Sequence, residues 1–247
     1  MKKAKSYLCM TILLTTAALT QTQPTGEEIL RRVDANIGSD NKISTSEMII
    51  HGRRGSRSIK SKSWIYGEEK SFTEYLAPAR EAGTKMLKLS EQLWTYIPST
   101  DRTIKISGHM LRQSVMGSDL SYEDMMEDPK LLNLYEAKVV KEELFLDRSC
   151  WVLELTAKVE DISYYSRKIW VDRERYVSLK EERYARSGKL LKIFEAKEIR
   201  RIQDRWVPVH MIFRDALKNS EGTEFFINSI EFNASIPESF FTKASLR

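Results

Sequence analysis

Cysteine is nearly absent from this 247-residue chain, which has only Cys9 and Cys150. Two thiols so placed give no disulfide framework, so a hydrophobic core has to hold the fold. Histidine is almost as scarce, and His51, His109 and His210 share no metal-ligand spacing such as HExxH. The chain has no GxSxG elbow, no Walker-type phosphate loop and no GxGxxG. These absences argue against metallohydrolases, serine hydrolases and nucleotide enzymes, and no catalytic residue, cofactor or metal is expected. Cys150 precedes Trp151 inside a strand pattern, where a lone thiol behaves as a small buried hydrophobe rather than a nucleophile.

Concentrated charge is missing too. Of the formal +5, Lys2, Lys3 and Lys5 belong to the N-terminal segment, and without them +2 remains. The other basic residues are interleaved with Glu and Asp, which leaves no basic face for nucleic acid. After the first two dozen residues no apolar run is long enough to cross a membrane. Residues 1–23, MKKAKSYLCMTILLTTAALTQTQ, have a basic start, a short apolar stretch and small residues after it. That layout predicts a secretory signal, with a mature domain over 24–247 and no transmembrane span in it. An uncleaved anchor is the alternative. Cys9 lacks the small neighbours of a lipoprotein-anchoring cysteine.

What is present is a soluble composition, 41% hydrophobic and 30% charged. Thr25-Gly26-Glu27-Glu28 forms a capping box, followed at helical spacing by Ile29, Leu30, Val33 and Ile37, with Gly38 as the stop. From Ile43 the period becomes two. Eleven to thirteen strand-like runs follow, separated by turn residues such as Arg53-Arg54-Gly55-Ser56 and Ala77-Pro78. The pattern predicts one mainly β domain with a few helices. A sheet that long should curl on itself, with the N-terminal helix on its inner side. The dry inner face is then either an ordinary core or, because so few helical residues are available to cover it, the wall of an apolar cavity.

The periodicity fails over 107–128, SGHMLRQSVMGSDLSYEDMMED, where methionines and acids gather. Ser121 followed by Glu123 and Asp124 suits a helix start, and Asp128-Pro129 a turn or a second helix start. The acids lack the DxDxDG pattern of a calcium loop, and a structural role is the simpler reading of them.

Several strings resemble one family. Leu93-Trp94-Thr95-Tyr96-Ile97-Pro98, Arg102 and Met116-Gly117-Ser118-Asp119-Leu120-Ser121-Tyr122-Glu123-Asp124 are similar to the signature of outer-membrane lipoprotein-sorting-like proteins, the LolA/LolB-like superfamily. Tyr135-Glu136-Ala137-Lys138, Cys150-Trp151-Val152-Leu153-Glu154-Leu155, Trp170-Val171-Asp172, Gly188-Lys189-Leu190, Trp206-Val207-Pro208 and Ile236-Pro237 extend it along the chain. The resemblance implies a curled antiparallel sheet forming an incomplete β-barrel covered by helices. It also implies a periplasmic, non-enzymatic carrier of lipid or lipoprotein acyl chains, working between inner- and outer-membrane partners. The 107–128 insert would then be a lid, with Met110, Leu111, Val115 and Met116 as its apolar contacts. Trp64, Trp94, Tyr96, Trp151 and Leu153 are the expected cavity walls. The competing readings are an exported interaction module or surface adhesin, and a hydrolase built on Asp119 and Glu123.

Overall fold

The computed structural model describes residues 23–38, 41–52, 55–218 and 220–247, with the side chain of Ile37 excluded. The expected leader up to residue 22 and the Arg53-Arg54 pair lie outside the described residues. Helix α1 (Gly26–Ile37) begins as its capping box dictates. The Glu28 amide donates to Thr25 Oγ1 at 3.2 Å, and the Thr25 amide donates to the Glu28 carboxylate at 2.8 Å.

Thirteen strands follow. The first six are β1 (Asn41–Gly52), β2 (Gly55–Tyr66), β3 (Lys70–Ala77), β4 (Lys85–Leu89), β5 (Gln92–Ile97) and β6 (Arg102–Ile106). Two short helices then intervene, α2 (Tyr122–Met126) and α3 (Leu131–Leu134). The remainder are β7 (Tyr135–Phe145), β8 (Arg148–Ala157), β9 (Ser166–Asp172), β10 (Ser178–Tyr184), β11 (Leu190–Ile202), β12 (Arg205–Asp215) and β13 (Thr223–Phe232).

All belong to one antiparallel sheet in the order β6-β5-β4-β3-β2-β1-β13-β12-β11-β10-β9-β8-β7. Every neighbour is consecutive in sequence except the pair β1–β13. The sheet is not closed into a barrel: β6 and β7 are its two free edges, and the 107–134 segment is the chain that runs from one to the other. That matches the incomplete barrel expected from the sequence.

Side chains alternate between the two faces. Cross-strand neighbours Phe213, Phe194, Glu181, Ile169 and Leu153 share one face, the inner one. Helix α1 lies on it, burying Ile29, Leu30 and Val33 against Tyr135, Trp151, Leu153, Leu155 and Ile169. On the outer face, Trp64, Phe72, Leu87 and Trp94 form a second cross-strand row, covered by the C-terminal segment through Ile236, Phe241 and Leu246.

Helix α3 is capped from a distance. Both oxygens of Asp34 on α1 accept from the α3 amides, Leu131 at 3.2 Å and Leu132 at 3.0 Å. Asp128 makes the turn that precedes this helix, accepting from the Lys130 amide at 2.8 Å.

Candidate functional site

Beyond α1 the inner face is left partly unfilled because its residues are small. Ser46 on β1, Ser61 and Ser63 on β2 and Thr73 on β3 occupy inward positions where large apolar groups would close the space. Together with Met48, Ile59, Tyr75, Met211, Phe213, Phe225 and Ile227 they bound a cavity of about 370 Å³. That volume is of the size that takes small ligands. The hydroxyls satisfy one another, Ser46 with Ser61 and Ser63 with Thr73, each pair at 2.9 Å. Paired this way, they present little hydrogen-bonding demand to an occupant.

The insert is the roof. Val115, Leu120 and Met125 line the cavity directly. Met110, Leu111 and Met116 pack against the same cluster, which includes Met48, Ile50, Ile59, Tyr75 and Met86. The four apolar residues expected of a lid are therefore together over the inner face. Leu120 and Met125 were not anticipated as lining residues, although the Met125-Met126 pair marked that stretch.

The expected aromatic walls fall elsewhere. Trp64, Trp94 and Tyr96 belong to the outer face, with Trp64 5.9 Å from Phe72 and 5.1 Å from Phe240 between ring centroids. They do not line the cavity, because in each strand the neighbouring position, such as Ser63 or Thr95, is the inward one. Trp151 and Leu153 do face inward but are covered by α1.

Three attachments hold the roof. At β2, Arg57 donates to the Met116 carbonyl, beside the left-handed pair Met116 (φ 51) and Gly117 (φ 73). At β12–β13, buried Asp119 accepts from Thr223 Oγ1 at 2.8 Å, Ser220 Oγ at 2.9 Å and the Asp215 amide at 3.1 Å. Its carbonyl accepts from Lys192 Nζ at 2.6 Å. The third attachment is a buried ionic cluster. Arg183 donates to Asp124 and to Glu181, both at 3.0 Å, and Arg167 donates to Glu181 at 2.5 Å and to Glu127. Tyr164 Oη completes it by donating to Asp124 at 2.6 Å. Burial pushes the Asp124 carboxyl up, but Arg183 and these hydrogen bonds hold it below its ordinary value. Glu181 is likewise held low, at about 2, by the two guanidinium groups against a large burial effect. The cluster ties α2 to β9 and β10.

The acids singled out in the sequence thus serve as caps and anchors. Ser121 and Asp124 form a capping box at the start of α2, as expected of a helix start. Glu123 lies 3.7 Å from Arg112. Cys150 is fully buried, and burial pushes its thiol up to about 11, far from a thiolate nucleophile. Among the described residues no cluster of His, Cys, Asp or Glu is arranged to hold a metal ion, and no helix is long and apolar enough to cross a membrane.

Comparison with known proteins places this geometry in context. A family model described as "-like: Uncharacterized protein" matches residues 67–247. No curated protein sequence matches the chain. Among solved structures, a DUF1329 family protein from Desulfovibrio piger is similar with a TM-score of 0.83 at 22% identity, covering 90% of this chain and 98% of that one. A putative outer membrane lipoprotein-sorting protein domain from Vibrio parahaemolyticus gives 0.77 at 26% identity, covering 90% and 97%. A LolA superfamily protein from Nitrosomonas europaea gives 0.75 at 24% identity, covering 90% and 99%.

Proposed function

We propose a function for a chain that belongs to the family matched over residues 67–247 and has the LolA-like, lipoprotein-sorting-type fold: it is a non-enzymatic carrier of acyl chains. In this reading residues 1–23 are a secretory signal and 24–247 the mature carrier. It works in the periplasm, taking lipid or lipoprotein acyl chains toward the outer membrane. The observation that carries the proposal is the roofed apolar cavity itself, whose serine and threonine hydroxyls bond to one another and whose remaining lining is Met, Ile, Val, Leu and aromatic.

The physical need is plain. Burying acyl chain is worth ~0.8 kcal/mol per methylene, so a sixteen-carbon chain carries on the order of 12 kcal/mol. Passage through water at that cost is too slow, and a carrier has to replace most of that energy and then give it back. Val115, Leu120 and Met125 would contact the chain from above, with Met110, Leu111 and Met116 as flexible filling around them. Met48, Ile59, Met211 and Phe225 would form the floor. Trp151 and Leu153 seat α1, and Trp64, Trp94 and Tyr96 have no part in it.

The test is extraction of protein purified from its native cell, followed by mass spectrometry of the organic phase, with uptake of a fluorescent fatty acid by the emptied protein. Bound lipid and saturable uptake at one site are the expected result. A lipid-free preparation that also ignores the fatty acid would overturn the proposal.

A further inference from the structure

At the C-terminal end of α1, away from every residue that lines the apolar cavity, an open groove of about 480 Å³ is lined by three arginines from three elements. Arg32 comes from α1, Arg175 from the β9–β10 turn and Arg205 from the start of β12. Each guanidinium is held in place by an aromatic ring. Arg32 lies 4.7 Å over Tyr176 and donates to its hydroxyl at 2.6 Å. Arg175 lies 4.6 Å over Trp206, and Arg205 5.1 Å over Phe232. Arg205 also donates to the last carbonyls of α1, Ala35 at 2.7 Å and Gly38. Stacking occupies the flat face of a guanidinium and leaves in-plane N–H groups for a fork-like contact.

Counter-charge is short. Among the described residues neither Arg32 nor Arg205 makes an ion pair. Among those residues Arg175 reaches only Asp172, at 4.0 Å, and that carboxylate already accepts from Arg148 at 2.8 and 3.1 Å. Among the described residues the one acid on the groove wall, Asp204, accepts from Arg201 at 2.9 Å. Like charges crowd nearby as well: burial and the Arg205 guanidinium hold the Lys42 ammonium below its ordinary value. Three oriented cations sharing a groove with one occupied acid form a receptor for an oxyanion that accepts several N–H groups at once.

We infer that the Arg32–Arg175–Arg205 groove binds a phosphate-class oxyanion, either free phosphate or the phosphodiester of a lipid headgroup. The inference is independent of the carrier reading, since the two sites share no lining residue.

Two probes separate the sources. One is inorganic phosphate in calorimetry. The other is sedimentation with phosphatidylcholine vesicles, made with and without phosphatidylglycerol. Arg32→Gln and Arg175→Gln are each expected to weaken binding about fivefold, and together about 25-fold. Arg205 is left intact because it caps α1. Arg80→Gln, which removes an exposed charge far along the chain, should leave binding unchanged. Binding of inorganic phosphate that weakens by those factors in the variants identifies a free-phosphate site. Binding only to phosphatidylglycerol vesicles, with the same weakening, identifies a headgroup site. The inference is overturned if neither probe binds, if Arg32→Gln and Arg175→Gln bind as tightly as the parent, or if Arg80→Gln weakens binding as much as Arg32→Gln does. Fatty-acid uptake measured on the same variants reports separately on the apolar cavity, and circular dichroism confirms that each is folded.

Discussion

Filling the cavity from within is the most direct test of its role. Ser46 and Ser61 face each other across β1 and β2 and satisfy one another's hydroxyl. Replacing Ser61 with Phe alone would strand the Ser46 hydroxyl at a cost of ~1–3 kcal/mol, so the useful variant is Ser46→Ala with Ser61→Phe. The space is about 370 Å³. At ~30 Å³ for a group the size of a water or methylene, it takes on the order of a dozen such groups. At ~0.8 kcal/mol each, a full acyl occupant gains about 10 kcal/mol. The phenyl ring adds about five heavy atoms, displaces as many methylenes and removes ~4 kcal/mol, about a thousandfold in affinity. The ring's own burial contributes ~2 kcal/mol to the fold, so Tm should hold or rise. Fatty-acid uptake and thermal unfolding on the same sample read both quantities. A folded double variant that binds as tightly as the parent would refute the assignment of this cavity as the acyl site. A variant too unstable to fold would show that the ring has no room, which refutes the volume argument itself.

Four other outcomes follow from the described contacts. Arg183→Met leaves buried Asp124 without its cation and Glu181 with Arg167 alone, and should cost ~3–5 kcal/mol in denaturant unfolding while exposing 107–134 to proteolysis. Wild-type rates of cleavage there would deny the cluster its anchoring role. Gly26→Ala would favour an isolated helix by up to ~1 kcal/mol. Here, however, its Cβ would meet the Ala137 carbonyl oxygen at 2.4 Å, so the variant should lose ~1–3 kcal/mol, and a gain would contradict that packing. Burial raises the Asp34 carboxyl from 3.8 to about 6. The folded state therefore keeps a proton that the unfolded chain has lost. Its contribution is fully present below pH 4 and declines as pH rises through 6, by roughly 3 kcal/mol in all. Unfolding titrations across that range should show the decline, and Asp34→Asn should flatten it. Finally, buried Cys150 should ignore an aromatic disulfide reagent at pH 8 and react on unfolding; rapid modification of the native protein would place it at the surface.

The fold was largely legible because its signals are local. The capping box at Thr25, the period-two runs and the turn residues each act within a few positions, and the strands begin and end close to where those runs do. The 107–128 insert stood out because the alternation stops there, and its methionines do lie over the inner face. The cavity walls were misread for a physical reason. Large aromatics suggested a lining, but room comes from what is small. The alternating serines of β2, Ser61 and Ser63, were the informative residues, while Trp64 beside them points outward. The ionic cluster had no local sign: Arg183 meets Asp124 from 59 positions away and Arg167 meets Glu127 from 40. The Asp34 cap on α3 spans 97 and 98 positions and could not be read from spacing either.

The strand order carries a consequence for how the molecule comes into being. Every strand can pair with one sequence neighbour as soon as it is made, but the second edge of β1 must wait for β13, whose last residue is Phe232. The cavity draws its walls from both sides of that late seam, Ser46 and Ile59 on one and Phe225 and Ile227 on the other. A growing chain can therefore build hairpins early yet owns no enclosed apolar space until its last strand arrives. Whatever the finished protein holds, its unfinished chain has nowhere to put.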